Sequence, residues 1–271
     1  MTEALYDRIA RIYDPWSRSV TEDVDLYVEE ALASGGPVVE LAVGTGRIAI
    51  PTAKAGIGVI GVDQSPGMLA VAREYAEREG VSELLDLRVG DLRKPPVTER
   101  VPLVTIPFRS MLHMADDGDR SRALAAAARM LEPGGRLVFD VFAPSEQDIE
   151  ETDGLWLERE PGIFERADWS PRERTLVLSV RGREEAATME LHWLSAPEWN
   201  ALIEDAGFEV EALYGWFDRR PWEGGEDQIW ICRRSGEEGR SRGTSRVARS
   251  ASQSGSTTSP TRTKPGSSTS A

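Results

Sequence analysis

Over residues 1–36 apolar side chains recur every three or four positions. In "EALYDRIARIYDPW" and "TEDVDLYVEEALAS" that spacing predicts two helices, and Gly35, Gly36 and Pro37 end the second. Short, almost continuous apolar runs then alternate with helix-length segments. The order is "PVVELAV", a helix to Ala55, "GVIGVD", a helix from Pro66 to about Glu79, "LDLRVGD", "PLVTIPF", a helix from about Arg120 to Leu131, and "GRLVFDVF". Strands apolar on both faces and separated by helices predict a parallel sheet covered on both sides.

The pattern changes after Pro144. "GLWLERE", "IFERADWS", "RTLVLSVR" and "ATMELHWL" follow one another across turn-like "EPG", "SPRE" and "GREE", with no helix-length segment between them, and predict an antiparallel insertion over 145–195. "SAPEWNALIEDAG" then reads as a helix with Ser195 as N-cap, Glu198 in the capping-box position and Gly207 at its end. Two last strands, "FEVEALYGW" and "DQIWICRR", return to the main sheet.

Composition narrows the class. The 271 residues are 40% hydrophobic and 29% charged, enough for one large α/β domain over 1–234. Residues 235–271 are rich in Ser, Thr and Arg, hold no aromatic residue, and are expected to be a disordered tail. No apolar run is long enough to span a membrane, and "MTEALYDRIA" lacks the pattern of a secretory signal, which places the protein in the cytoplasm with no membrane partner. One cysteine, Cys232, and two distant histidines, His113 and His192, leave no built-in metal centre. The formal net charge is −14, and the last six basic residues have no acid among them, so the body is more acidic still. Nucleic acid is not an expected partner.

Candidate chemistry begins in "VVELAVGTGRIAI". Gly44 and Gly46 follow the first strand, where a backbone must bend sharply and let a ligand approach, and a helix from near Arg47 would aim free N–H groups at the turn. Asp63 ends the second strand, where a carboxylate can accept hydrogen bonds from both hydroxyls of a ribose. A nucleoside-containing ligand is implied. "GTGRIA" also satisfies the dinucleotide pattern G-x-G-x-x-A, so a nicotinamide-dependent oxidoreductase is one alternative. Glu40 just before the turn and the hairpin-like finish of the chain count against it.

In these motifs the chain resembles the class I S-adenosylmethionine-dependent methyltransferases. Their E/D-x-G-x-G-x-G turn is matched by Glu40, Ala42, Gly44 and Gly46 in "ELAVGTG", the ribose-binding acid by Asp63 in "GVDQSPGML", and the group beside the adenine amine by Asp91 in "VGDLR". "LEPGGRLVFDVF" and "AGFEVEALYGWF" look like the family's later strands. The resemblance covers nearly all of residues 1–234 and implies a Rossmann-like seven-stranded mixed sheet with an N-terminal helical lid, residues 1–36, and the antiparallel insertion after the fifth strand.

It implies S-adenosyl-L-methionine as cofactor. Thr45 joins the glycine turn among the cofactor contacts, Gln64 supports the ribose, Met68 lies beside the adenine, Leu92 at the base edge, and Pro107 and Phe108 near the sulfonium. Ser65 and Pro66 suit the start of the helix that carries Met68. Tyr6 and Tyr13 share one helical face, and Tyr13 is the expected aromatic neighbour of the cationic donor. Ala42 replaces the usual first glycine, which a side chain permits if its φ stays negative.

The implied reaction is transfer of a methyl group to an N or O nucleophile of a small-molecule acceptor, with His113 as candidate base. Arg109, Arg159, Arg166 and Arg219 are candidates to bind an anionic substrate. Trp156, Phe164, Trp169 and Trp193 either line the pocket or form a small core in the insertion. A non-catalytic cofactor-binding protein is the other alternative, and the expected assembly is a monomer or homodimer.

Overall fold

The computed structural model describes residues 5–17 and 21–235, which belong to one compact unit, Met1–Ser235. The expected disordered tail lies, from Gly236 onward, outside the described residues. A 3-10 turn (Leu5–Ile9) leads into α1 (Ala10–Ser17), and α2 (Glu22–Ser34) follows. Gly35 ends α2 in the left-handed conformation that a residue without Cβ adopts freely, with φ 68°.

The alternating region then folds as β1 (Val38–Leu41), α3 (Ala49–Lys54), β2 (Val59–Asp63), α4 (Pro66–Glu79), β3 (Leu85–Val89), β4 (Val101–Ile106), α5 (Asp117–Met130) and β5 (Leu131–Phe142). Ser65 caps α4 as its sequence suggests, accepting the Met68 N–H at 3.0 Å, with Pro66 in the first turn. The helix after the glycine turn differs from expectation: α3 starts at Ala49 and has 6 residues. Arg47 and Ile48 remain in the turn.

Beyond β5 the expected insertion opens with a helix, α6 (Glu146–Thr152), before β6 (Trp156–Glu160), β7 (Ile163–Ser170), β8 (Thr175–Arg181) and β9 (Ala186–His192). This corrects the expectation of strands alone. Ser145 accepts the Asp148 N–H at 3.1 Å and Asp148 faces the Ser145 N–H at 3.5 Å, a reciprocal cap that starts a short helix without any long apolar period. Then come α7 (Ala196–Asp205), β10 (Phe208–Tyr214) and β11 (Asp227–Arg234). Glu198 accepts the Ser195 N–H at 2.9 Å, as the capping-box reading expects.

The main sheet has the order β10-β11-β5-β4-β1-β2-β3, and β6-β7-β8-β9 form a separate antiparallel sheet. The first five strands pair in parallel, while β11 runs antiparallel to both β5 and β10. The chain turns to opposite sides of β1, so the carboxyl ends of β1 and β4 border the crevice where open α/β sheets hold ligands. On the other side of the sheet, Phe139 stacks on Trp230 and tilts against Trp199 of α7, fixing β5 and β11 together.

The N-terminal segment is tied down by polar contacts along the edge of that crevice. Asp7 accepts hydrogen bonds from the Ser65 hydroxyl at 2.6 Å and the Gly67 N–H at 2.8 Å, at the positive end of α4. Thr45 donates to Asp14 at 2.6 Å, and the Trp16 indole donates to Glu165 of the second sheet at 2.7 Å. Asp23 of α2 is fully buried and takes both ends of the Arg47 guanidinium, at 2.6 and 2.5 Å. Removing one member of such a pair leaves the other charge without compensation. Asp23→Ala is therefore expected to cost about 3 kcal/mol in denaturant unfolding; a loss below about 0.5 kcal/mol, the scale of an exposed pair, would refute this role.

Candidate active site

The turn after β1 and the end of β2 are joined by one carboxylate. Asp63 accepts the Gly44 N–H at 2.9 Å and the Ser65 N–H at 2.8 Å, which holds the glycine turn against the start of α4. Burial raises the Asp63 carboxyl above its ordinary value, while these backbone donors pull it down. Ala42 does not keep the negative φ expected of it: φ is 58°, as at Gly44, where it is 57°. The turn demands the left-handed conformation at both positions, and Ala42 accepts a steric cost of about 1–2 kcal/mol there.

A cavity of about 260 Å³ opens beside this turn. It brings together Tyr13, Ala42, Gly44, Asp63, Gln64 and Met68, with Leu92 and His113 from farther along the chain. The other expected residues lie elsewhere. Glu40 is buried in β1, Thr45 is engaged by Asp14, and Gly46 borders a different groove with Arg47 and Ile50. Asp91 is held by Arg93 at 2.5 Å, which depresses its carboxyl, although its neighbours Gly90 and Leu92 reach the cavity. The Pro107 carbonyl accepts the Ser110 hydroxyl at 2.7 Å, and Phe108 instead faces the cavity.

A second cavity, of about 460 Å³, meets the first at Tyr6, Phe108 and His113. The insertion supplies much of its wall, including Leu157, Trp169, Leu176 and Met189. Of the four insertion aromatics, Trp169 lines this cavity, Trp193 packs behind it at a ring distance of 5.7 Å, and Trp156 and Phe164 lie by Arg181. The four candidate arginines all meet carboxylates: Arg109 with Asp227, Arg159 with Glu165, Arg166 with Asp168, and Arg219 with Glu29 and Glu30. Arg109 and Arg159 line this cavity, whereas Arg166 and Arg219 do not, and each of the four guanidiniums has an acidic neighbour.

His113 sits where the cavities meet. Its Nε2 lies 2.9 Å from the Tyr6 hydroxyl, which is also 3.2 Å from the Met189 sulfur. Burial pushes the imidazole down to about 4, so the ring is neutral at ordinary pH. Sequence reading did not single out Asp140. Its carboxylate accepts the Tyr27 hydroxyl at 2.6 Å, the Phe108 N–H at 2.7 Å and the Arg109 N–H at 3.0 Å. It thereby holds the turn after β4, where Phe108 and Arg109 both have left-handed φ, 57° and 61°. An acid inside the apolar run "LVFDVF" was the available signal. Burial and the nearby Asp23 push this carboxyl up to about 6.

The sheet order, the carboxylate at the end of β2 and the paired cavities define a class I S-adenosylmethionine-dependent methyltransferase fold, and the chain belongs to that family. Its cofactor is S-adenosyl-L-methionine. The methyltransferase domain profile matches residues 38–135. The chain is 32% identical over 181 residues to an uncharacterized methyltransferase of Geobacillus kaustophilus, covering 65% of this chain and 79% of that one. It is 34% identical over 148 residues to a demethylmenaquinone methyltransferase of Thermus thermophilus, covering 52% of this chain and 65% of the relative. The CcbJ methyltransferase of Streptomyces caelestis shares the fold with a TM-score of 0.76 at 24% identity, over 86% of this chain and 99% of that one.

No helix among the described residues is long and apolar enough to cross a membrane. Among those residues no group of three or more His, Cys, Asp or Glu side chains is placed to hold a metal.

Glu40 yields a prediction independent of the reaction. It is 3% exposed, and burial pushes its carboxyl from 4.5 up to about 8, against the pull of Arg47. Between those values the folded protein holds a proton that the unfolded chain has lost, so stability falls as pH rises. Glu40→Gln should remove that part of the slope. Between pH 5 and 8 the wild type is expected to lose at least about 1 kcal/mol more than the variant in urea unfolding. Parallel stability profiles would contradict the assignment.

Proposed function

We propose that this chain transfers a methyl group from S-adenosylmethionine to a nitrogen or oxygen nucleophile of a small molecule. The observation that carries the reading is the meeting of two cavities at Tyr6, Phe108 and His113. The smaller one suits the cofactor. Asp63, fixed by two backbone donors, is the carboxylate for the ribose hydroxyls, and Gln64 lies beside it. Met68 and Leu92 are buried apolar walls for the base. A Cβ at Gly44 would come within 3.3 Å of the Met68 methyl, so the glycine keeps the cleft open. Tyr13 offers an aromatic ring toward a cation.

When bound, the cofactor supplies an electrophilic methyl group on a sulfonium. The protein has to align the acceptor and exclude water. In this reading residues 1–36 form a lid over the cofactor, and residues 145–195 roof the acceptor cavity. His113, neutral and hydrogen-bonded to Tyr6, is available to orient the acceptor and take a proton from it. Glu40, Thr45, Gly46, Asp91 and Pro107 support the turn and loops around the cofactor and need not touch it.

Binding is the first test. Calorimetry should show binding of S-adenosylmethionine and S-adenosylhomocysteine, and no binding of either at millimolar concentration would sink the reading. Asp63→Ala should weaken both at least about tenfold through loss of charge-assisted hydrogen bonds, and unchanged affinity would remove Asp63 from the site. His113→Gln should lower kcat while leaving cofactor affinity intact. The wild-type rate should show no histidine limb near the ordinary value of 6.5, because the ring already lacks its proton there. Turnover of a small-molecule panel, followed as S-adenosylhomocysteine release, separates an enzyme from a binding protein. Release with carbon acceptors alone would exclude the nitrogen or oxygen assignment.

A further inference from the structure

We propose that the larger cavity selects its acceptor as a cationic amine, with an ammonium group directed at Asp148 and Glu226 and an apolar body against the aromatic wall. The inference rests on the methyltransferase reading above and narrows its acceptor class. Its basis is an imbalance of charge: seven carboxylates line the cavity and only two guanidiniums, Arg109 and Arg159. Both guanidiniums are engaged, Arg109 by Asp227 at 3.0 Å and Arg159 by Glu165 at 2.7 Å. Asp23 is paired with Arg47, and Asp140 is saturated by Tyr27 and two backbone donors. Glu22 accepts the Thr21 N–H on the exposed rim.

Asp148 and Glu226 remain, half-buried and adjacent, with Ser145 as their polar neighbour and no basic side chain paired to either among the described residues. Burial raises the Glu226 carboxyl against the pull of the Ser145 hydroxyl, and the adjacent Asp148 and Asp227 raise it further, the response of acids crowded together without a counter-ion. An ammonium supplies both the missing charge and up to three donors. A second feature of the same cavity also lacks a partner. Ser17 is 4% exposed and lines the cavity, and its hydroxyl has no hydrogen-bond partner among the described residues. It suits a further polar group on the acceptor. Phe108, Phe142, Trp169 and Trp216 provide the apolar and π-faced remainder of the wall.

An anionic acceptor would meet uncompensated carboxylates, and a neutral alcohol would leave the charge imbalance in place. A bound amine reacts after losing one proton to the neutral His113, which passes it on to solvent water. Its nitrogen lone pair forms the new C–N bond as the C–S bond breaks, that electron pair stays on sulfur, and the product is a methylated ammonium beside a neutral thioether.

The test is calorimetric titration of the full chain, saturated with S-adenosylhomocysteine, with primary amines from ethylamine to tryptamine. Each amine is compared with the alcohol and the carboxylate of the same shape. At least one amine is expected to bind ten or more times more tightly than both isosteres. Asp148→Asn combined with Glu226→Gln should erase that preference without changing affinity for S-adenosylhomocysteine. If the double variant does not fold, the wild-type preference is measured in 1 M NaCl, where screening should reduce it severalfold. The proposal is overturned if no amine outperforms its isosteres, or if the preference survives the double variant or, where salt is the test, high salt. Failure of S-adenosylhomocysteine to bind is a different result. It removes the methyltransferase reading, while amine titration of the protein alone still reports the cavity's preference.

Discussion

The half-buried Arg47 guanidinium is the charge around which the crevice is organised. It lies in the turn between β1 and α3, grips Asp23 of α2 with both ends, and stacks over the Phe108 ring at 4.4 Å. Its field also acts on Glu40, where it opposes the burial that raises that carboxyl. A single cation thus joins the glycine turn, the helical N-terminus and the turn after β4. A planar, permanently charged group can pair in its plane and stack on its face at once, which an ammonium cannot do.

Around this cation the protein places more acid than it neutralises. Glu40, Asp63 and Asp140 all have carboxyls raised by burial, and two of them, Asp63 and Asp140, hold turns by accepting several hydrogen bonds. Asp63 and Asp140 act by collecting backbone N–H groups from turns with left-handed residues, so each stabilises a conformation that side chains otherwise resist. The same excess of acid continues into the larger cavity and gives it a chemical preference. Stability and selectivity therefore draw on one feature, the shortage of cations in the crevice.

Much of the cofactor cleft was legible because its signals are local. A strand, a glycine turn and a carboxylate at the end of the next strand lie within one β-α-β unit, and the Ser65–Pro66 start of α4 follows from the chemistry of helix caps. The misreadings also have local causes. Ala42 was expected at negative φ because it is not glycine, but the turn that brings Gly44 to Asp63 sets its backbone angle. Helix α6 was missed because a reciprocal Ser145–Asp148 cap can start a helix too short to show an apolar period. Asp140 stood out in an apolar strand, yet its partners Tyr27 and Phe108 are far from it in the chain.

What the sequence by itself determined was the order of the main-sheet elements, the parallel core and the carboxylate that ends β2 beside the glycine turn, since these depend on hydrophobic period and on spacing over a few tens of residues. Tertiary structure alone decided which charges are compensated. Four arginines that could each have served an anionic ligand were matched to carboxylates, Arg166 and Arg159 by acids two and six residues on, Arg109 by a strand 118 residues later, and Arg219 by a helix 189 residues earlier. Spacing along a chain does not reveal such pairings, because the energy of a charge depends on what surrounds it in three dimensions.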